Sequence, residues 1–172
     1  LSHQPKSIQG LRAPLFDRLI DKAPEVQKEA TPLRLYNRDA VIASVGRDLQ
    51  RLLNTRRATP GLLRPSDATV LDYGIPSFTH LSSASNVDHR ILADIIRQAI
   101  QIFEPRVQDI VVRFDRVPGS TRELSGSVSC ALRLGTHLEP LTFPIVLGET
   151  EGEVRVLAAQ SPDPQAPEIR HG

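Results

Sequence analysis

The sequence predicts an α+β domain in which N-terminal helices pack on a small, mainly antiparallel β-sheet. Two observations carry that expectation. Apolar residues recur at helical spacing up to Phe103 and switch to alternation after Pro105, and the links in the second half are short and rich in Gly and Pro. Helices followed by strands, rather than the two alternating, argue against a parallel sheet. The 172 residues suit one core, so a single domain is expected over residues 12–158, between a flexible segment at 1–11 and a disordered Pro-rich tail at 159–172.

The elements follow in order. A short helix is expected at 15–21, where Leu15, Phe16, Leu19 and Ile20 share a face before Pro24. A longer amphipathic helix is expected from Arg38 to about Asn54. Asn37 is its N-cap, Asp39 stands in its first turn, and Val41, Ile42, Val45, Leu49, Leu52 and Leu53 recur at helical spacing. Residues 58–86 form a long connection punctuated by Pro60-Gly61, Pro65 and Gly74-Ile75-Pro76. Its apolar residues Leu62, Leu63, Val70, Leu71, Ile75 and Phe78 are costly to expose together, so the connection is expected to pack on the domain surface. The clearest helix follows, capped by Asn86 and running to Phe103, with Ile91, Leu92, Ile95, Ile96, Ala99 and Ile100 on one stripe. Strands are expected at 110–114, 124–134, 141–147 and 154–157. Pro140 and Pro144 make the third an edge, because proline cannot donate to a central ladder. An edge carrying Leu141, Phe143 and Ile145 is open to pairing with an extended segment of another chain.

Composition narrows the function classes. The net charge is +1, with 18 Arg against 3 Lys. A planar guanidinium suits bidentate pairing with carboxylates, and an Arg-favouring codon bias explains the same ratio. The near-neutral balance lacks the basic excess of a nucleic-acid footprint, so no nucleic-acid partner is expected. A nucleic-acid binder using Arg47, Arg51, Arg56, Arg57 and Arg64 is the weakest reading. Cys130 has no partner for an intrachain disulfide and alternates with the apolar positions of its strand, as a buried, inert thiol in a reducing compartment does. The longest stretch without Asp, Glu, Lys or Arg, Tyr73 to Val87, contains Gly74, Pro76 and His80, short of the ~18 to 20 apolar residues a membrane helix needs. Residues 1–10 lack the pattern of a secretory signal, so a cytoplasmic location without membrane insertion is expected.

Catalytic motifs are not found. The sequence contains no GxGxxG, P-loop, HExxH or GxSxG pattern, and its five His residues are scattered, so no catalytic residue, cofactor or metal is expected. The position of greatest tension is Glu104-Pro105-Arg106. Pro105 disfavours helical geometry at Glu104, and a carboxylate at a helix C-terminus meets the negative end of the macrodipole at a cost of ~0.3 to 1 kcal/mol. Arg106 either pairs with Glu104 within the loop, or both side chains point outward to the charges of a partner. The enzymatic alternative makes Glu104 the general acid of a peptidoglycan-degrading muramidase. That chemistry needs a second carboxylate, and Asp109, Asp115 and Glu123 stand at no diagnostic spacing.

Three stretches carry a family resemblance. Arg47-Asp48-Leu49-Gln50-Arg51-Leu52-Leu53-Asn54-Thr55-Arg56-Arg57, then Asp72-Tyr73-Gly74-Ile75-Pro76, then Phe103-Glu104-Pro105-Arg106 resemble, in order, the motifs of the TssE family. These are small baseplate subunits of bacterial type VI secretion systems, related to a wedge protein of contractile-tail phage baseplates and sometimes labelled lysozyme-like. Leu15-Phe16-Asp17-Arg18-Leu19 is similar to that family's N-terminal helix, so the resemblance covers about residues 12–157. Asp72, where the family pattern has Asn, and Pro144, in a strand usually more regular, depart from it.

The resemblance implies a non-enzymatic part whose sheet is similar to the handshake domain of the contractile sheath. Such a subunit joins TssF and TssG in the baseplate wedge and templates the TssB/TssC sheath, with TssK and the VgrG hub as further neighbours. It would work at the cytoplasmic side of a Gram-negative inner membrane. Glu104, Pro105 and Arg106 match the family's signature tripeptide, which implies an assembly contact or wedge integrity. Arg47, Arg51, Arg56 and Arg57 fall within the first motif, which favours partner pairing over codon bias at those positions.

Overall fold

The computed structural model describes residues 36–78, 81, 85–116, 124–148 and 153–161, together with Glu25. Two helices, α1 (Arg38–Asn54) and α2 (Asn86–Phe103), precede four strands: β1 (Val107–Arg116), β2 (Leu124–Leu134), β3 (His137–Leu147) and β4 (Val154–Val156). Each strand pairs antiparallel with the next, in the order β1-β2-β3-β4, which makes this an α+β fold. The helix expected at 15–21, the segment 1–11 and the tail beyond Ser161 lie outside the described residues.

α1 has the ends its sequence predicts. The Asn37 side chain accepts from the Ala40 N–H at 2.9 Å, a cap worth ~1 kcal/mol. Val41, Val45, Leu49, Leu52 and Leu53 form its buried stripe. For α2 the cap is Ser85, one residue before the expected Asn86. Its hydroxyl accepts from the Asp88 N–H at 3.2 Å, a role in which serine serves as well as asparagine. Leu92, Ile96, Ala99 and Ile100 are the buried residues of α2.

Both helices pack on one face of the sheet. Val128, Cys130 and Leu132 of β2 and Leu141, Phe143, Ile145 and Leu147 of β3 join the two helical stripes in one core. Burial of each large side chain contributes ~1.5 to 3 kcal/mol. The alternate residues, among them Ser125, Ser127, Ser129 and Thr142, point to the opposite face, where Ser129 and Thr142 share a hydrogen bond of 3.0 Å across the strands. β1 begins at Val107 rather than Ile110. A bulge between Gln108 and Val111, with Asp109 at φ 54°, breaks the alternation that would have revealed the earlier start. β3 begins at His137 rather than Leu141, because His137 and Leu138 are exposed and leave no alternating signal.

The open edge expected at β3 is corrected. β3 lies inside the sheet, with β2 on one side and the chain's own segment 153–160 on the other. The Leu157 N–H donates to Pro144 O at 2.8 Å, and Thr142 and Gln160 exchange two backbone hydrogen bonds. Even-numbered residues of β3 therefore direct their backbone groups away from β2. Pro140 and Pro144 both fall in that set, so their missing N–H groups leave the β2 ladder complete. Pro144 accepts from Leu157 without donating back, and regular pairing with β4 stops there.

The connection after α1 is only partly packed. Ile75 and Phe78 are buried as expected, whereas Val70 and Leu71 are 88% and 87% exposed. A single 3-10 turn, Val70–Asp72, holds them out. In its capping box the Thr69 hydroxyl accepts from the Leu71 N–H, and the Asp72 carboxylate accepts from Thr69 N–H at 3.0 Å. Gly74, at φ 113°, lets this loop close on α1: a Cβ there would stand 2.3 Å from Thr55 O. Thr55 and Ile75, and Ile75 and Arg57, are then joined by backbone hydrogen bonds of 3.0 and 3.1 Å.

Candidate functional site

The candidate residues separate into three places. At the first, the chain turns from α2 into β1 through Glu104-Pro105-Arg106. Glu104 caps α2, its N–H donating to Ile100 O at 2.8 Å, and leaves helical geometry at φ −124° and ψ 79°. Glu104 is 4% exposed, while Pro105 is exposed. Arg106 Nε donates to Glu104 Oε1 at 2.6 Å and Nη2 to Glu104 Oε2 at 2.5 Å, so the two residues pair with each other.

The same guanidinium reaches α1. Nη2 also donates to Asp48 Oδ2 at 2.5 Å and Nη1 to Ser44 Oγ at 3.0 Å, so every nitrogen of the group has a partner. Burial by itself lowers the Arg106 pKa, but Glu104 and Asp48 more than reverse this, and the net shift is upward. The corner is a clamp between α1 and the start of the sheet. A muramidase acid must face an open cleft, whereas both oxygens of Glu104 are held by Arg106; Asp109 and Asp115 lie exposed on β1.

The second place is a groove of about 650 Å³ between α1 and residues 156–161. Leu141 and Phe143 lie at it from the sheet, and Arg47 and Arg51 from the helix. Arg51 pairs with Asp48 at 3.2 Å, three residues earlier. Ile145, 1% exposed, belongs to the core and does not reach the groove.

Beside it, α1 locks β4. Gln50 Nε2 donates to Val154 O at 2.7 Å, and the Val156 N–H donates to Gln50 Oε1 at 2.6 Å. Asn54 does the same around Val154, donating to its carbonyl at 2.6 Å and accepting from its N–H at 3.0 Å. These amides replace a neighbouring strand. Ser44, Asp48, Gln50 and Asn54 were missed by the sequence analysis. The available signal was two polar pairs at i, i+4 flanking the apolar stripe.

The third place is the loop after α1. Arg56 lies over the Phe78 ring at 4.8 Å and donates to Leu53 O at 2.7 Å; burial lowers its pKa. Arg57 is 6% exposed. Its Nη2 donates to Gly61 O, while Nε and Nη1, also buried, have no hydrogen-bond partner. Burial lowers its pKa, and the charge of Asp72 opposes that shift. Asp72 itself is occupied by Thr59 and Thr69, whose hydrogen bonds hold its carboxyl below the usual range.

Among the described residues no group of three His, Cys, Asp or Glu side chains converges on a possible metal site, and no helix is long and apolar enough to cross a membrane. Burial, with the charge of Glu104, pushes the Cys130 thiol up to about 12. No curated protein matches the chain. A family model described as baseplate wedge protein gp25 matches residues 39–136, more than half of the chain. The match takes in α1 with its polar pairs, the loop of Arg57, the Glu104-Arg106 corner and the first two strands, and on that extent the chain belongs to the baseplate wedge protein gp25 family.

Proposed function

We propose that this protein is the TssE-like member of a type VI secretion baseplate, joining TssF and TssG in the wedge and templating the first ring of the TssB/TssC sheath. It would act at the cytoplasmic side of a Gram-negative inner membrane, near TssK and the VgrG hub. The observation that carries this reading is the coincidence of the gp25-family match with the three ordered motifs, all of which fall within the matched residues 39–136. The role is structural. Glu104 and Arg106 keep the wedge subunit in shape, exposed Pro105 marks the corner for a neighbour, and Arg47 and Arg51 rim a groove whose floor is Leu141 and Phe143. Because β4 and Gln160 already occupy the outer side of β3, an extended sheath segment would pair with the outer edge of β1, which no described strand covers.

Co-expression with TssF and TssG tests this. A stable complex of the three is expected, and a chain that purifies alone under all conditions and binds no sheath protein rejects the assignment. For the enzymatic alternative, purified peptidoglycan should be turned over no faster by the natural chain than by Glu104→Gln. Faster turnover would restore it.

A further inference from the structure

The buried cation of the loop is unlike the other guanidinium groups described. Arg57 is buried, yet two of its three nitrogens meet no acceptor, and Asp72, whose charge acts on it, is spent on Thr59 and Thr69. Burying an uncompensated charge costs stability, and evolution has many apolar side chains that would fill the same space. In the same loop Leu62 follows Gly61, and Val70 and Leu71 precede Asp72; these three are 61%, 88% and 87% exposed. The last two are held outward by the Thr69–Asp72 capping box. Gly61, whose carbonyl accepts from the guanidinium, sits exposed at φ 74°, and two residues on Leu63 is tied through both its backbone groups to the Gln98 amide.

We propose that this loop is a docking site for an aliphatic segment bearing a carboxylate, supplied by a neighbouring baseplate chain, with Val70 and Leu71 as apolar anchors and Arg57 as the cation the carboxylate meets. Charge complementarity selects the occupant: Arg56 and Arg64 lie on the same stretch as Arg57, and a guanidinium shielded from water pairs strongly with an anion. A nucleic-acid phosphate offers the same charge but nothing for two exposed aliphatic side chains. The site shares no residue with the groove between α1 and residues 156–161, and on its other side Val70 lines a shallow depression with Tyr73, Ile102 and Phe103. Its assignment to a baseplate neighbour rests on the function proposed above.

Two measurements decide it. The first is the melting temperature of the free chain and of Arg57→Met. A docking cation leaves the variant melting at or above the natural chain, whereas a fall of several degrees shows that Arg57 works internally and overturns the proposal. The second is the affinity for a purified TssF–TssG complex. Arg57→Met and, separately, the surface pair Val70→Asp with Leu71→Asp should each bind at least tenfold more weakly. Natural affinity in either overturns the docking site. If the unaltered chain does not bind TssF–TssG, the wedge assignment falls, and the melting comparison alone then decides whether Arg57 serves a partner. Salt-sensitive DNA binding that disappears in Arg57→Met would also overturn it, in favour of a phosphate ligand.

Discussion

Arg106 and Arg57 place two guanidinium groups in the same small domain under opposite conditions. Arg106 is ringed by Glu104, Asp48 and Ser44, and its charge is matched by two carboxylates. Arg57 has one backbone carbonyl. Both belong to stretches that resemble the same family, so motif membership does not separate a guanidinium whose bonds the subunit completes from a buried one whose bonds it leaves open. What separates them is whether the protein itself completes their hydrogen bonds.

The sharpest way to break that comparison is Arg106→Met. It strips Glu104, 4% exposed, of the guanidinium that holds both its oxygens, and should lower stability by ~3 to 5 kcal/mol in urea unfolding. A loss below ~1 kcal/mol would mean that the corner is no clamp. Next comes the β4 lock. Gln50→Ala or Asn54→Ala strips buried backbone groups of their partners at a cost of ~1 to 3 kcal/mol each. Hydrogen exchange should rise at Val154 and Val156 before it rises in β2. Asp48→Asn, at a carboxylate one-third exposed and so screened by water, should cost only ~1 kcal/mol, still more than any loss from Arg57→Met.

The smallest effect concerns Cys130, which senses the corner through the charge of Glu104. With the thiol at about 12 when folded against an ordinary 9.0, the unfolded chain loses this proton first. The thiol therefore has no influence on stability below about pH 9 and makes stability fall as pH rises from there towards 12. At pH 8.5, alkylation of the folded chain should be at least ~100-fold slower than in urea. Equal rates would show the sheet opening at Cys130.

Much of this architecture is written in local pattern. α1 ends where Asn37 and the run of apolar residues say it should, and the switch of period after Pro105 marks the start of the sheet. The pairing of Glu104 with Arg106 is also local, two residues apart, and was one of two arrangements the sequence allowed. What was not legible is long-range. Asp48 meets Arg106 across 58 positions and Gln50 meets Val154 across 104, and no spacing rule reaches so far. Val70 and Leu71 were expected to pack because apolar residues usually do; a capping box of two polar side chains decides otherwise. The prolines of β3 were read as marking a free edge, and their identical parity is what reconciles them with a strand paired on both sides.

That parity bears on how the chain is made. During synthesis β3 emerges before residues 153–160, and for that interval its outer side faces a crowded cell with no strand beside it. Pro140 and Pro144 put two gaps in the row of donors on that very side, so a stray segment cannot zip along it, as gatekeeper residues prevent at aggregation-prone strands. The row is met only when residues 154–160 arrive, Val154 and Val156 between β3 and the amides of Gln50 and Asn54, and Leu157 and Gln160 against Pro144 and Thr142. The two prolines thus suit the moment when that side of the strand is bare, and the finished subunit gives up the return hydrogen bond at Pro144 for it.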